Sequence, residues 1–123
     1  MIESSEGLLL VRRPDDDEDL PGVWGLPAVS LAAGESEEEA VRRAGRDKLG
    51  VELEPVERVG SEQTMTDWEA RILSGHPAVP QPGPHTQYTG LRFGEPFELV
   101  PAAREGSLCC RVLLRARGLD WDS

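Results

Sequence analysis

Basic side chains are scarce in this sequence. The 123 residues include 13 basic and 23 acidic side chains, which give a net charge of −10, and Lys48 is the only lysine. An acidic chain repels phosphate backbones, so this composition argues against nucleic acid as a partner. Aromatic residues are also few, at 5%. The length is still sufficient for one hydrophobic core, and we expect a single domain over residues 1–123.

Long apolar runs and spaced cysteines are absent as well. The longest aliphatic run, residues 8–11, is far too short to span a membrane, and no basic segment followed by an apolar run indicates a signal peptide. Cys109 and Cys110 are adjacent, without the spacing typical of zinc ligands or an ordinary disulfide loop. We expect both cysteines to be small buried residues, and we expect a cytoplasmic protein with no membrane partner.

The clearest local pattern is a loop followed by a helix within residues 23–51. Ser36 is a typical N-cap, and Glu39 three residues later completes a capping box. Gly50 is a typical helix stop. These signals predict a helix over residues 36–49. The side chains expected to face a sheet that contains residues 8–11 are Ala40, Val41 and Ala44.

Patterns elsewhere predict strands and a last helix. Apolar or alternating segments predict strands at 7–13, 51–59, 64–73 and 91–93. Ser107 is expected to cap a final helix whose apolar face consists of Leu108, Val112, Leu113 and Ala116. Four prolines between Ser74 and Gly90 exclude helix and central strand there, and we expect this segment to line the mouth of a pocket.

The loop–helix stretch resembles the Nudix box, which reads Gly-x5-Glu-x7-Arg-Glu-hydrophobic-x-Glu-Glu-x-Gly-hydrophobic. Glu35, Arg43, Gly50 and Val51 stand in register with this pattern. The resemblance implies the Nudix fold, an α/β/α sandwich with a mixed β-sheet between helices. The departures are Val29 for the first glycine, Gly45 for a hydrophobic residue, and Ala44, Asp47 and Lys48 for three glutamates.

Nudix proteins generally hydrolyse a nucleoside diphosphate linked to another group, with Mg²⁺ or Mn²⁺ held by the box glutamates. The resemblance therefore makes Glu35, Arg43 and Asp47 the candidate catalytic residues, and Glu35 and Asp47 the candidate metal ligands. Mg²⁺ prefers carboxylate oxygens, but the formal charges of Ala44, Asp47 and Lys48 sum to zero. We accordingly expect no metal cofactor.

Three residues are candidate ligand-binding groups. Lys48 could place positive charge against a phosphate where the family places a metal. Tyr88 could stack on a nucleobase, and His85 could contact phosphate or act as a general base. The competing interpretation of Lys48 is a solvent-exposed side chain, or one paired with Asp47 or Glu52.

The sequence is compatible with three functions. The first is a divergent Nudix protein that keeps a pocket for a small phosphorylated ligand such as a nucleotide, with weak or lost pyrophosphohydrolase activity. The second is an active hydrolase that binds Mg²⁺ or Mn²⁺ through Glu35, Asp47 and a carboxylate between Glu62 and Glu69. The third is a structural or interaction module. Only six residues precede Gly7, so a first strand is short or missing, and a second subunit of a homodimer could complete the sheet.

Overall fold

The computed structural model describes residues 1–15, 21–63, 65–78 and 88–121. The strands in these residues are β1 Glu3–Ser4, β2 Gly7–Arg12, β3 Trp24–Gly25, β4 Glu52–Glu62, β5 Met65–Ser74 and β6 Gly90–Gly94. The helices are α1 Glu37–Ala44, α2 Val100–Arg104 and α3 Leu108–Ala116. A π-helical turn, Gly45–Leu49, follows α1, and a 3-10 turn, Pro96–Leu99, precedes α2. Each predicted strand is present, which confirms those sequence patterns.

The strands form two antiparallel groups joined near the start of the chain. In the first group, β2 pairs with β1, β3 and β6. In the second, β4 pairs with β5 and carries an irregularity between Pro55 and Glu57, as expected for a strand proline. Ile2 forms a parallel bridge with Ala70 of β5, and its carbonyl accepts a hydrogen bond from Leu9 of β2 at 2.8 Å. The parallel bridge of Ile2, which lies just before the two-residue strand β1, makes the combined sheet mixed.

Helices cover both faces of the sheet because the side chains of β2 alternate between two cores. Leu8 and Leu10 pack in one cluster with α2 and α3. Leu9 and Val11 pack in the other, together with Val41 of α1 and Leu49 of the π-helical turn. This is the expected α/β/α sandwich, and it places α1, the helix of the Nudix box, directly over the sheet.

The predicted helix over residues 36–49 is present in two parts. The Ser36 hydroxyl accepts a hydrogen bond from the Glu39 N–H at 3.1 Å, which is the first of the two bonds of the predicted capping box. Within the described residues, the Glu39 side chain does not form the second bond.

The chain then widens into the π-helical turn, where the Gly50 N–H donates to the Gly45 carbonyl. The Val51 N–H donates to the same carbonyl at 3.0 Å. Gly50 ends the turn with a φ of 69°. Local sequence signals predicted the ends of this helical segment but not its wider turn, because that turn depends on how Gly45 packs against Val51 and Leu53 of the segment that follows.

The predicted apolar face of α3 is partly wrong. Val112 and Leu113 are buried as expected, but Leu108 is only half-buried and Ala116 is exposed. Because α3 packs against both α2 and the β4–β5 pair, it buries a wider stripe. The additional residues of that stripe are Cys109, Cys110 and Leu114. Burial of the two cysteines confirms the expectation for them.

Candidate functional site

Glu35 and Arg43 form a two-bond ion pair that fastens the loop between β3 and α1, called the box loop below, to α1. The guanidinium donates from Nε to Glu35 Oε2 at 2.9 Å and from Nη2 to Oε1 at 3.0 Å. Arg43 Nη2 also donates to the Ser30 carbonyl at 2.6 Å, and the Ala32 N–H donates to Glu35 Oε1 at 3.1 Å. The hydrogen bonds from Arg43 and Ala32 hold the pKa of Glu35 below its usual range. Both carboxylate oxygens are thus engaged in shaping the loop.

Lys48 is buried beside Tyr88. The lysine is 9% exposed, and its Nζ lies 5.5 Å from the centroid of the Tyr88 ring. The Tyr88 hydroxyl accepts from the Ala28 N–H at 2.9 Å and donates to the Ala28 carbonyl at 3.2 Å. The packing therefore brings together two predicted ligand-binding residues, forty positions apart, at the box loop.

Lys48 has ionised neighbours of both signs. Burial lowers its pKa, and the neighbouring Arg13 and Arg43 lower it further, with Asp47 acting in the opposite direction. Glu52, a partner considered from the sequence, instead pairs with Arg46 at 2.8 Å. In the part of the chain that the structure describes, no carboxylate lies within 4.0 Å of the Lys48 ammonium. Such an environment favours an anion.

Two of the candidate metal ligands, Glu35 and Asp47, lie beside the same side chain, Arg43. Asp47 has a side chain that is 47% exposed, with Oδ2 4.0 Å from Arg43 Nη1. Glu62 Oε1 accepts a hydrogen bond from Arg115 of α3 at 3.1 Å. Among residues 1–15, 21–63, 65–78 and 88–121, no group of three or more His, Cys, Asp or Glu side chains could hold a metal ion. The donor set of these residues does not fit a Mg²⁺ or Mn²⁺ site.

Some predicted features lie outside the described residues. His85 is one of them, as is most of the proline-rich segment between Ser74 and Gly90, from residue 79 to residue 87. The predicted position of that segment at a pocket mouth stays a prediction.

A cavity of about 430 Å³ lies between α1, residues 26–31 and β5. Its helical wall consists of Ala40, Val41 and Ala44, the three residues predicted to face the sheet. Ala44 occupies a position where the Nudix pattern has a glutamate. Two acidic residues, Glu37 and Asp67, also line the cavity. Glu37 Oε1 accepts a hydrogen bond from Trp68 Nε1 at 2.8 Å.

The cavity also contains Asp67, which the sequence offered, together with Glu62 and Glu69, only as a carboxylate that could lie near the helix. Asp67 is 4% exposed, and neither carboxylate oxygen has a hydrogen-bond partner in the described residues. Burial, and to a smaller extent the nearby Cys109, raises its pKa to about 8 against the lowering effect of the Met1 amino group. Strand alternation showed only that Asp67 and Glu69 share a face, since it does not reveal which face is covered.

Residues 1–94 of the sequence match the NUDIX domain. The chain belongs to the Nudix family. The matched region runs from the first residues through the box and ends at Gly94, the last residue of β6. No protein in the curated set matches the sequence significantly.

Solved structures with the same fold include MutT from Methanosarcina mazei Go1, at 16% identity, with 96% of this chain and 88% of that chain covered and a TM-score of 0.67. The E. coli ORF135 protein is 20% identical, with coverages of 95% and 86% and a TM-score of 0.65. An ADP-ribose pyrophosphatase from Streptococcus suis is 18% identical, with coverages of 95% and 85% and a TM-score of 0.67. These likenesses confirm the predicted fold of this Nudix protein.

In the described part of the chain, none of the helices has the length and apolar character needed to span a membrane.

Proposed function

We propose that this Nudix protein binds a small phosphorylated ligand of the nucleotide type without a metal ion, and that its pyrophosphohydrolase activity is weak or lost. The observation that carries the proposal is the buried Lys48 at a box position, in the company of Arg13 and Arg43. An ammonium at this position supplies the positive charge that a phosphate group needs.

The chemistry of the box supports binding more than hydrolysis. A divalent metal in this family would neutralise the diphosphate and help to generate a hydroxide nucleophile. Lys48 can neutralise part of the charge of a diphosphate, because an ammonium binds phosphate as a point charge. It cannot generate the hydroxide, because an ammonium does not acidify water as a metal does. Glu35, the box acid that is retained, has both oxygens bonded to Arg43.

The class of ligand is inferred from the family and from similar structures. One of these is described as an ADP-ribose pyrophosphatase, whose substrate is a nucleoside diphosphate derivative. For the present chain, a diphosphate group at Lys48 would face the positive charge just described. We therefore propose a nucleoside diphosphate or one of its derivatives.

The test is a thermal-shift panel of pyrophosphate, ADP and ADP-ribose, each with EDTA, Mg²⁺ or Mn²⁺. A ligand that binds only the folded state raises the melting temperature by mass action. We expect stabilisation in EDTA, with no release of phosphate or AMP on long incubation. Stabilisation that requires metal and is accompanied by hydrolysis would instead support the active enzyme. No response to any ligand would favour an interaction module.

The role of Lys48 is tested with Lys48→Met, which keeps the apolar stem and removes the charge. We expect pyrophosphate affinity in EDTA to fall by about tenfold or more, which corresponds to the loss of one charge-assisted hydrogen bond. Arg42→Ala is the matched control, because it removes a positive charge from an exposed position of the same helix. Equal affinities in the wild type and Lys48→Met would reject the role of the lysine.

A further inference from the structure

Asp67 is an unsatisfied acidic group in the wall of a ligand-sized cavity. The residue is 96% buried, both of its oxygens lack a hydrogen-bond partner within the described residues, and it lines the 430 Å³ space next to α1. Buried polar groups are almost always hydrogen-bonded, because leaving one unpaired costs free energy. An unpaired carboxyl group beside an open cavity indicates that its missing hydrogen-bond partner is a bound molecule.

The chemistry of the cavity narrows the kind of molecule. Most of the wall is aliphatic, which suits a flat apolar ring. Its acidic side chains are Glu37 and Asp67, and no basic side chain is among the described residues that line it. Glu37 already accepts a hydrogen bond from Trp68. The Met1 amino group also lines this space and donates to the Trp68 carbonyl at 2.6 Å. Asp67 is therefore the group left to bind a molecule that carries an N–H donor.

The cavity and the cluster around Lys48 contact the same short loop. Ala28 and Ser30 line the cavity, and their backbone groups bond Tyr88 and Arg43 respectively. The loop thus contacts both the apolar cavity and the residues around Lys48. A molecule with a ring end and a phosphate end has one group for each of them.

We propose that Asp67 is a specificity-determining residue of the cavity and that it selects a planar nitrogen heterocycle presenting an N–H donor. An ionised carboxylate accepts two hydrogen bonds, and a neutral carboxyl group accepts one and donates one. At least one oxygen therefore requires a donor in either protonation state. The inference rests on the proposed function, since it names the non-phosphate end of the same ligand.

The experiment uses two phosphate-free probes of similar shape, benzimidazole and 1-methylbenzimidazole. Methylation removes the N–H donor and leaves the ring in place. In titrations followed by ¹H–¹⁵N NMR, we expect the wild type to prefer benzimidazole by about tenfold or more, with shifts at Ala40 and Thr66 in the cavity wall. Asp67→Leu should bind the two probes equally, because it keeps the side-chain size and has no acceptor. Asp67→Asn keeps one acceptor oxygen and should retain the preference.

The outcomes separate this inference from the proposed function. Any of three results would overturn the role of Asp67. The wild type could show no preference for benzimidazole, the preference could survive in Asp67→Leu, or the NMR shifts could be confined to other surfaces. Pyrophosphate binding in EDTA is measured on the same variants and should be unchanged in a folded Asp67→Leu protein. If pyrophosphate fails to bind while the benzimidazole preference persists, the metal-free phosphate site is rejected and the cavity assignment stands.

Discussion

Lys48 and Asp67 are buried ionisable residues that lack an opposite charge within 4.0 Å in the described residues. Burial favours the neutral form of each, so the pKa of Lys48 is lowered and that of Asp67 is raised to about 8. Each therefore lowers the stability of the unliganded fold near neutral pH. Groups of this kind concentrate at functional sites, where a ligand supplies the missing partner.

Asp67→Asn is expected to change the pH dependence of stability. The folded-state pKa of Asp67 is raised, so its contribution to stability is complete below the unfolded pKa near 4 and is lost as the pH rises through about 8. Asn does not titrate. The free energy of unfolding of the wild type should therefore fall relative to Asp67→Asn between pH 5 and 8, by at most about 1.4 kcal/mol per pH unit.

Urea unfolding of both proteins at pH 5, 6, 7 and 8 measures this difference. The Cys109 thiol and the Met1 amino group also act on Asp67, so the comparison is repeated in a Cys109→Ser background. A difference between the two proteins that stays constant with pH would contradict the assignment.

At the scale of single elements, the box helix departs from regular α-geometry where it meets β4. Gly45 has an ordinary φ of −60°, but a Cβ there would lie 2.6 Å from Leu53 Cγ and 2.9 Å from the Val51 carbonyl oxygen. The Nudix pattern has a hydrophobic residue at this position. The glycine thus allows a close approach between the π-helical turn and the strand that follows it.

Gly45→Ala should destabilise the protein. Replacing a helical glycine with alanine normally contributes about 1 kcal/mol, whereas overpacking costs about 1–3 kcal/mol. The backbone oxygen of Val51 cannot move as a flexible side chain could, so we expect a net loss of about 1–2 kcal/mol in urea unfolding. Glu38→Ala, at an exposed position of α1, is the control and should have little effect. A Gly45→Ala protein as stable as the wild type would show that the turn can shift away from β4.

Restoring the three glutamates of the Nudix pattern should make the stability of the protein depend on a divalent metal ion. The variant Ala44→Glu, Asp47→Glu, Lys48→Glu places carboxylates at two buried positions, Ala44 and Lys48. Without metal, like charges in a buried site repel, so we expect a lower melting temperature than that of the wild type. Mg²⁺ should then raise it, with a roughly logarithmic dependence on Mg²⁺ concentration above the dissociation constant. Calorimetry in EDTA and in Mg²⁺ tests this expectation.

A triple variant that does not respond to Mg²⁺ would show that the loop has also diverged, with Val29 in place of the box glycine. The wild type, measured under the same conditions, separates binding at the new carboxylates from a general effect of the salt.

At the scale of the whole molecule, the two strand groups are joined through the segment before β2. Ile2 is buried, bridges Ala70 of β5 and bonds to Leu9 of β2. Trp24 belongs to the first group and Trp68 to the second. The helices pack against both groups, so the sandwich should unfold as one cooperative unit.

Ile2→Ala should lower the free energy of unfolding by about 2–4 kcal/mol, because it removes buried methyl groups from the junction. The expected unfolding curve has one transition, with the same midpoint by tryptophan fluorescence and by far-UV circular dichroism. Glu6→Ala, which alters an exposed side chain close by, is the control. Separate midpoints for the two signals would show that the strand groups unfold independently.

The sequence alone determined the features that depend on neighbouring residues. The N-cap at Ser36, the glycine stop at Gly50 and the strand segments were predictable because their hydrogen bonds and side-chain periodicity act over a few positions. The box register also identified Glu35 and Arg43. It did not reveal that they bond to each other, a contact that depends on how the loop folds over the helix.

Only the tertiary structure decided which of these residues are buried. Lys48 is enclosed by Tyr88, which lies forty positions later, and Asp67 is enclosed because β5 faces α1 across a cavity. The wider apolar face of α3 has the same origin, since two elements pack against that helix. Burial, and with it the pKa shifts of Lys48 and Asp67, depends on contacts between distant segments that a local pattern does not specify.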